Sequence, residues 1–262
     1  MSEIKRITSR DNAFYKTLHK LASSSRERRT AGQTLLDGPH LLRAFLDAGG
    51  KPLHLLLNGQ ALQNSEIVAL LATCADVPKT QLEDALFAQL SELKTPNGLL
   101  ALIAIPQPSV PATHSQFALL LEDIQDPGNL GSILRSAAAA GCDAVFLSQG
   151  CADAWSPKVL RAGMGGHFAL HIHEAVDLLS IAHEFTGNLL AASLQSEKTL
   201  YACNLRGKLA FAIGNEGAGL SPSLQDAAQE QFIIPMPGKV ESLNAAAATA
   251  VCLFEAVRQK SK

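Results

Sequence analysis

The chain has 262 residues, 47% of them apolar and 18% charged, a balance that excludes overall disorder and fits two ordinary domains better than one core. Its formal net charge of -2 excludes a global basic field that would draw the whole molecule to nucleic acid. The charge is uneven: residues 1–30 hold eight Lys and Arg against three acidic residues, a net +5 that leaves -7 for the rest, and this end reads either as a polyanion-binding segment or as a solvated terminus.

In chain order, Asn12–Leu21 reads as a short amphipathic helix with Phe14, Leu18 and Leu21 on one side. Asp37-Gly38-Pro39 is a helix start with proline at the first helical position. Leu41, Leu42, Phe45 and Leu46 then form a helical stripe that Gly49-Gly50 ends. Leu53–Leu57 is a strand candidate, Leu62–Ala72 and Gln81–Leu90 read as helices, and Leu99–Ile105 reads as a buried strand. Pro106, Pro108 and Pro111 can continue neither a helix nor a central strand, so a stiff connection is expected there.

Beyond it the alternation is more regular. Phe117–Leu121, Ala144–Leu147, Leu189–Ala192 and Leu209–Ile213 are short apolar runs suited to a parallel sheet covered on both faces. Helices are expected at Leu130–Ala140, Pro157–Arg161, Ala175–Phe185 and Pro222–Ala228, with Ser156 and Ser221 as caps before proline. A last strand, Gln231–Ile234, leads through a loop to a long helix, Leu243–Gln259. The whole is an open α/β sheet, whose ligand site belongs at the carboxyl ends of its strands.

The five cysteines show no C-x-x-C spacing and have apolar flanks, which reads as buried thiols in a reducing, cytoplasmic protein. Met1–Arg10 has no apolar core of a signal peptide, and no stretch is long enough to span a bilayer. His171-Ile-His173 alternates as a strand edge would, and neither these histidines nor His167 calls for a metal.

Three loops carry candidate chemistry. In the first, Asp126-Pro127-Gly128 is turn chemistry and Asn129 a good N-cap. Leu130, Ile133, Leu134 and Ala137 define a buried face, which leaves Arg135 on the open side with Gly131 and Ser132. That displays a cation at a helix start; an ordinary solvated arginine fits the same pattern. The second, Gly214-Asn-Glu216-Gly-Ala-Gly, lets backbone approach a ligand closely, and a tight turn explains its glycines equally. It lacks Gly-Lys-Ser/Thr and places Glu216 where a phosphate would be repelled, so a neutral or cationic ligand fits better. The third, Ile234 through Ser242-Leu243-Asn244, runs into an alanine-rich helix that Ser242 or Asn244 would cap.

In this order the three loops resemble the motifs of the SpoU/TrmH class of RNA ribose 2′-O-methyltransferases, within the SPOUT superfamily. Asn129-Leu-Gly-Ser-Ile-Leu-Arg135 resembles motif one, Ile213-Gly-Asn-Glu-Gly-Ala-Gly-Leu220 motif two, and Ile234-Pro-Met through Ser242-Leu-Asn244 motif three. Ile7-Thr-Ser-Arg-Asp-Asn-Ala-Phe, Leu35-Leu-Asp-Gly-Pro-His and Leu93-Lys-Thr-Pro-Asn-Gly are more weakly similar to that class's accessory domain.

The resemblance implies a trefoil-knotted, parallel-sheet methyltransferase domain over 117–262. It implies a small α/β, ribosomal-protein-like RNA-binding domain over 1–105, joined to it by a linker at 106–116. It implies S-adenosylmethionine as methyl donor, contacted by backbone at Gly214, Ile234 and Leu243, and no metal. It implies a homodimer through the C-terminal domain, RNA as substrate with ribosomal RNA ahead of transfer RNA, and no membrane partner. Arg135 inherits the family's proposed role of base. A guanidinium is almost never deprotonated, and a phosphate-positioned arginine acting electrostatically uses the same residue. Asn129, Glu216, Ser242 and Asn244 are the other matching polar positions. A non-catalytic RNA-binding relative is the first alternative, against which the intact Arg135, Glu216 and Asn244 argue. A nucleotide-dependent oxidoreductase is the second, against which the missing dinucleotide fingerprint argues.

Overall fold

The fold was obtained as a computed structural model that describes residues 4–109 and 111–261. Glu3 of the charge count and Val110 of the proline-rich segment lie outside the described residues. The chain forms two compact units: residues 1–106 with 155–168, and residues 107–154 with 169–262.

The first unit opens with β1 (Lys5–Ile7), α1 (Ala13–Ser23), α2 (Ser25–Ala31), β2 (Gln33–Asp37) and α3 (Pro39–Asp47). It continues with β3 (His54–Leu57), α4 (Ser65–Thr73), β4 (Lys79–Leu82), α5 (Asp84–Ala88) and β5 (Leu99–Ala104). The five strands form a mixed sheet in the order β1-β4-β3-β5-β2. Leu18 and Leu21 of α1 and Leu86 and Phe87 of α5 bury against Leu35, Leu56, Leu82 and Leu100 on one face. Asn12 caps α1 through its side chain, and α3 begins at Pro39 as the sequence implies.

Several short elements depart from the sequence reading. Gln81–Leu90, expected as one helix, is the end of strand β4 followed by the brief α5, while β1 and β2 went unread. The basic segment also differs from a uniformly solvated face. Arg28 is buried at 4% exposure and donates to the Leu21 and Ala22 carbonyls at 2.6 and 3.2 Å, closing the end of α1. Arg6 pairs with Glu83 and Lys16 with Asp11, whereas Arg10, Lys20, Arg26 and Arg29 are exposed.

The second unit contains β6 (Phe117–Leu121), α6 (Pro127–Ala139) and β7 (Ala144–Leu147). The next helix in the chain, α7 (Pro157–Gly163), belongs to the first unit, and the second resumes at β8 (His171–His173). There follow α8 (Leu178–Glu184), β9 (Asn188–Ala192), β10 (Leu209–Ile213), α9 (Pro222–Ala227), β11 (Glu230–Phe232) and α10 (Ala245–Lys260). The sheet order is β11-β9-β10-β6-β7-β8, and each pairing is parallel. Ala118, Leu120, Phe146, Leu189 and Ala212 alternate onto the face that α8 and α9 cover. Phe117 and Phe211 lie on the other face with α10, whose Lys260 ammonium sits 3.9 Å from the Phe117 ring centre. The chain reverses its direction of travel across the sheet between β6 and β10, so the crevice at their carboxyl ends is the expected site.

All five cysteines are free, and burial pushes the thiols of Cys142, Cys151, Cys203 and Cys252 up, which suits packing roles. Among the described residues no helix is long and apolar enough to cross a membrane, and no group of three or more His, Cys, Asp and Glu gathers as a metal site.

A single cut at the prolines therefore misses one excursion. Trp155–Phe168 packs within the first unit: the Thr34 hydroxyl donates to the Trp155 carbonyl at 2.7 Å, α7 lies on β2, and Phe168 meets Phe45 with ring centres 5.1 Å apart. Trp155, the one tryptophan of the chain, is 3% exposed. A fragment of residues 112–262 lacks the surface that covers this segment. Its tryptophan emission is expected to shift to the red of the intact protein's, and its thermal midpoint to fall, both readable in one fluorescence melt.

Candidate active site

The three loops converge because each leaves the sheet at its carboxyl edge or returns to it. The first follows β6. Asp126, not Asn129, caps α6: its carboxylate accepts the Asn129 amide at 2.7 Å, and Pro127 occupies the first helical turn. What looked like a turn at Asp126-Pro127-Gly128 is thus the cap and first residues of the helix. Asn129 sits inside the first turn with its side chain released for other work.

The second loop follows β10. A Cβ on Gly214 would run into the backbone of Gly219 and Leu220, so the loop folds back on itself only because residue 214 has no side chain. The Asn215 side-chain oxygen accepts the amides of Gly217 and Ala218 at 2.8 and 3.2 Å, and its carbonyl accepts the Gly219 amide at 2.8 Å. This turn presents Glu216 at its tip.

The third loop enters α10, which Asn244 caps by accepting the amides of Ala246 and Ala247. The Asn244 amide nitrogen donates to Asn129 Oδ1 at 2.9 Å and to Glu216 Oε1 at 2.8 Å. Asn129 Nδ2 donates to the same carboxylate oxygen at 2.6 Å, and the Ala245 amide donates to it at 3.1 Å. One oxygen of Glu216 therefore accepts three hydrogen bonds, one of them from the start of a helix, where the macrodipole also favours negative charge. Both Nδ2 hydrogens and the Oδ1 of Asn244 are engaged inside the protein.

The structure thus joins Asn129, Glu216 and Asn244. Arg135 lies farther along α6, exposed, on the side it shares with exposed Ser132; Gly131, expected beside it, is buried. Arg135 and Ser242 have no hydrogen bond to this trio among the described residues. Ser242 is exposed in the loop just before α10.

A cavity of about 260 Å³ opens beside the trio. Ile213, Gly214, Leu220, Phe232, Ile234, Leu243 and Ala245 wall it, and Glu216 and Ser242 stand in its lining. Gly214, Ile234 and Leu243, marked from the motifs, all face it. Ser193, Leu194 and Gln195, after β9, line it too and were missed, because Ser-Leu-Gln carries no pattern of its own. Only the strand order, which sets β9 beside β10, shows where they belong.

Residues 116–254 match the SpoU rRNA Methylase family, and residues 12–101 match the MRM3-like substrate binding domain. An uncharacterized tRNA/rRNA methyltransferase of Synechocystis sp. is 34% identical, the alignment covering 99% of this chain and 96% of that protein. The 23S rRNA guanosine 2′-O-methyltransferase RlmP of Bacillus subtilis is 29% identical over 96% of this chain and 98% of its own. The crystal structure of the SpoU methyltransferase AviRb from Streptomyces viridochromogenes, in complex with the cofactor AdoMet, superposes with a TM-score of 0.82 at 25% identity, covering 95% of this chain and 98% of that one. With its three loops gathered at the edge of a parallel sheet and the family match running through all of them, the chain belongs to the SpoU methylase family.

Proposed function

We propose that this protein transfers a methyl group from S-adenosylmethionine to a ribose 2′-hydroxyl of RNA, with ribosomal RNA favoured over transfer RNA. The observation that carries the reading is the meeting of three loops at Glu216 on the rim of a cavity lined by Gly214, Ile234 and Leu243. The rRNA relatives and the AdoMet complex of AviRb support it from outside.

The residues present fit the donor. Backbone faces the cavity at Gly214, an apolar wall of Ile213, Leu220 and Phe232 suits the purine ring of the molecule, and the Glu216 carboxylate on the rim suits its cationic sulfonium better than a phosphate. S-adenosylmethionine, when bound, supplies an electrophilic methyl group on a positively charged sulfur. The chain's own residues divide the remaining work. Asn244 is saturated by internal bonds, so we assign it to clamping the loops and not to substrate. Asn129 and Glu216 complete the clamp. Ser242, exposed at the cavity, is available to hydrogen-bond the RNA. Arg135 acts as a positive charge, holding phosphate or favouring the anionic form of the 2′-oxygen. The apolar wall of the cavity excludes water from the donor.

The first unit we assign to RNA binding, with Arg10, Lys20, Arg26 and Arg29 among its exposed cations. Its match to a substrate binding domain supports this. The trefoil knot, a homodimer through the second unit and a cytoplasmic location complete the reading. Phe254, 50% exposed on α10, supports a partner surface there.

Two experiments test the proposal. Arg135 is exposed, so Arg135→Ala is expected to leave the thermal midpoint unchanged while methyl transfer from labelled S-adenosylmethionine to ribosomal RNA falls by roughly two orders of magnitude. Near-normal turnover at saturating RNA would remove Arg135 from the machinery. Charge reversal at Arg26 and Arg29, leaving buried Arg28 in place, should weaken RNA binding and flatten its log-log salt dependence by about 0.7–0.9 for each phosphate that is no longer neutralised. Calorimetric affinity for S-adenosylmethionine should stay constant in that variant.

A further inference from the structure

The clamp at Glu216 depends on where the turn that carries it is held, and two residues outside the trio hold that turn at both ends. Glu122, just after β6, accepts the Ser221 amide on Oε2 at 2.6 Å, at the exit of the glycine loop. Its own amide donates to the Ile213 carbonyl at 3.0 Å, at the loop's entry. Asn215 donates through Nδ2 to the Asp123 carbonyl at 3.0 Å while its Oδ1 caps the turn. Both the nitrogen and the oxygen of the Asn215 side-chain amide thus have partners that shape the loop.

The anchor is itself braced. Asp123 takes the left-handed region at φ 54°, which is unfavourable for a residue with a side chain and persists only where neighbours over-determine it. The Ser148 hydroxyl supplies that constraint, accepting from the Asp123 amide at 2.9 Å and donating to its carboxylate at 2.7 Å. A Cβ on Gly150 would strike the same carboxylate, so the glycine leaves room for it. Cys151 closes the other side, donating to the Leu121 carbonyl at 3.2 Å and accepting from the Ile124 amide at 3.4 Å. A rigid corner at the ends of β6 and β7 is therefore wired to the loop after β10.

We infer that Glu122 and Asn215 are positioning residues: they fix the height of the 214–221 loop, and through it set both the cavity wall and the location of Glu216. The inference rests on the reading of that cavity as the S-adenosylmethionine site. Glu122 does not line the cavity, and Asn215, which does, spends its side chain on the turn and on the Asp123 carbonyl, so both act through the loop. Removing either pin loosens the wall more than it unfolds the unit, because β10 and α9 on the two sides keep their own packing.

The test uses the full chain and three variants. Glu122→Ala removes the acceptor, Glu122→Gln restores an uncharged one, and Asn215→Asp keeps the turn's acceptor but sets an oxygen against the Asp123 carbonyl. In ligand-free protein, amide hydrogen exchange across residues 214–221 is expected to quicken about tenfold in Glu122→Ala and Asn215→Asp and to return toward wild type in Glu122→Gln. The calorimetric Kd for S-adenosylmethionine should rise about tenfold in the same two variants while KM for RNA holds. Folded variants with wild-type exchange and wild-type affinity would overturn the inference. A wild-type chain with no affinity for S-adenosylmethionine would instead defeat the functional reading, and the exchange measurement would still decide the role of the two pins.

Discussion

The second unit's site turns on one carboxylate oxygen. Glu216 Oε1 gathers a side-chain amide from α6, another from the cap of α10 and the first backbone amide of α10. These loops are separated by 87 and 28 positions in the chain, so their meeting is a property of the sheet order and of this oxygen together. A carboxylate oxygen, with lone pairs open to several donors, is suited to such a meeting. The trio lies at the solvent-facing rim, where water competes and each bond contributes about 1 kcal/mol or less. Its value is geometric. It holds three short segments in one arrangement beside a cavity, which is the form in which positioning contributes to a reaction.

Much of this was legible in the sequence, for identifiable reasons. β6, β7 and β10 are continuous apolar runs because both faces of a parallel sheet are covered, and their bounds are those read from the sequence. Glycine, proline and asparagine at element ends made the starts of α3, α7 and α10 visible. The short strands β1, β2 and β4 were not, since Lys5-Arg6-Ile7 and Lys79-Thr80-Gln81-Leu82 carry too few apolar residues to declare a period. They are strands because neighbours pair with them, a non-local fact.

The errors at single residues share a cause. Asn129 looked like a cap because its residue type suits one, yet Asp126 suits it as well, and Pro127 decides the register by favouring the first helical position. Arg28 looked like one cation in a solvated run, but two carbonyls left open at the end of α1 claim it. Gly131 looked like part of the open side beside Arg135 and is instead buried, on a helix that packs against α10. In each case composition names the kinds of interaction a residue can make, and a backbone group elsewhere selects which one is made.

The trio and its braces also separate two duties that a motif blends together. Asn129, Glu216 and Asn244 stand out in the sequence as polar residues in a methylase motif, and all three invite catalytic roles. Their hydrogen bonds are directed at each other and at α10, whereas Arg135 and Ser242 are among the polar groups of the motifs without an internal bond among the described residues. A group that must respond to a substrate needs unspent hydrogen-bonding capacity, whereas one that must hold a loop needs that capacity spent. By that criterion the motif contains its own scaffold. Glu122 and Asn215 extend that scaffold one layer deeper, to the braced corner at Asp123, where the strain of a left-handed aspartate is held in place by Ser148.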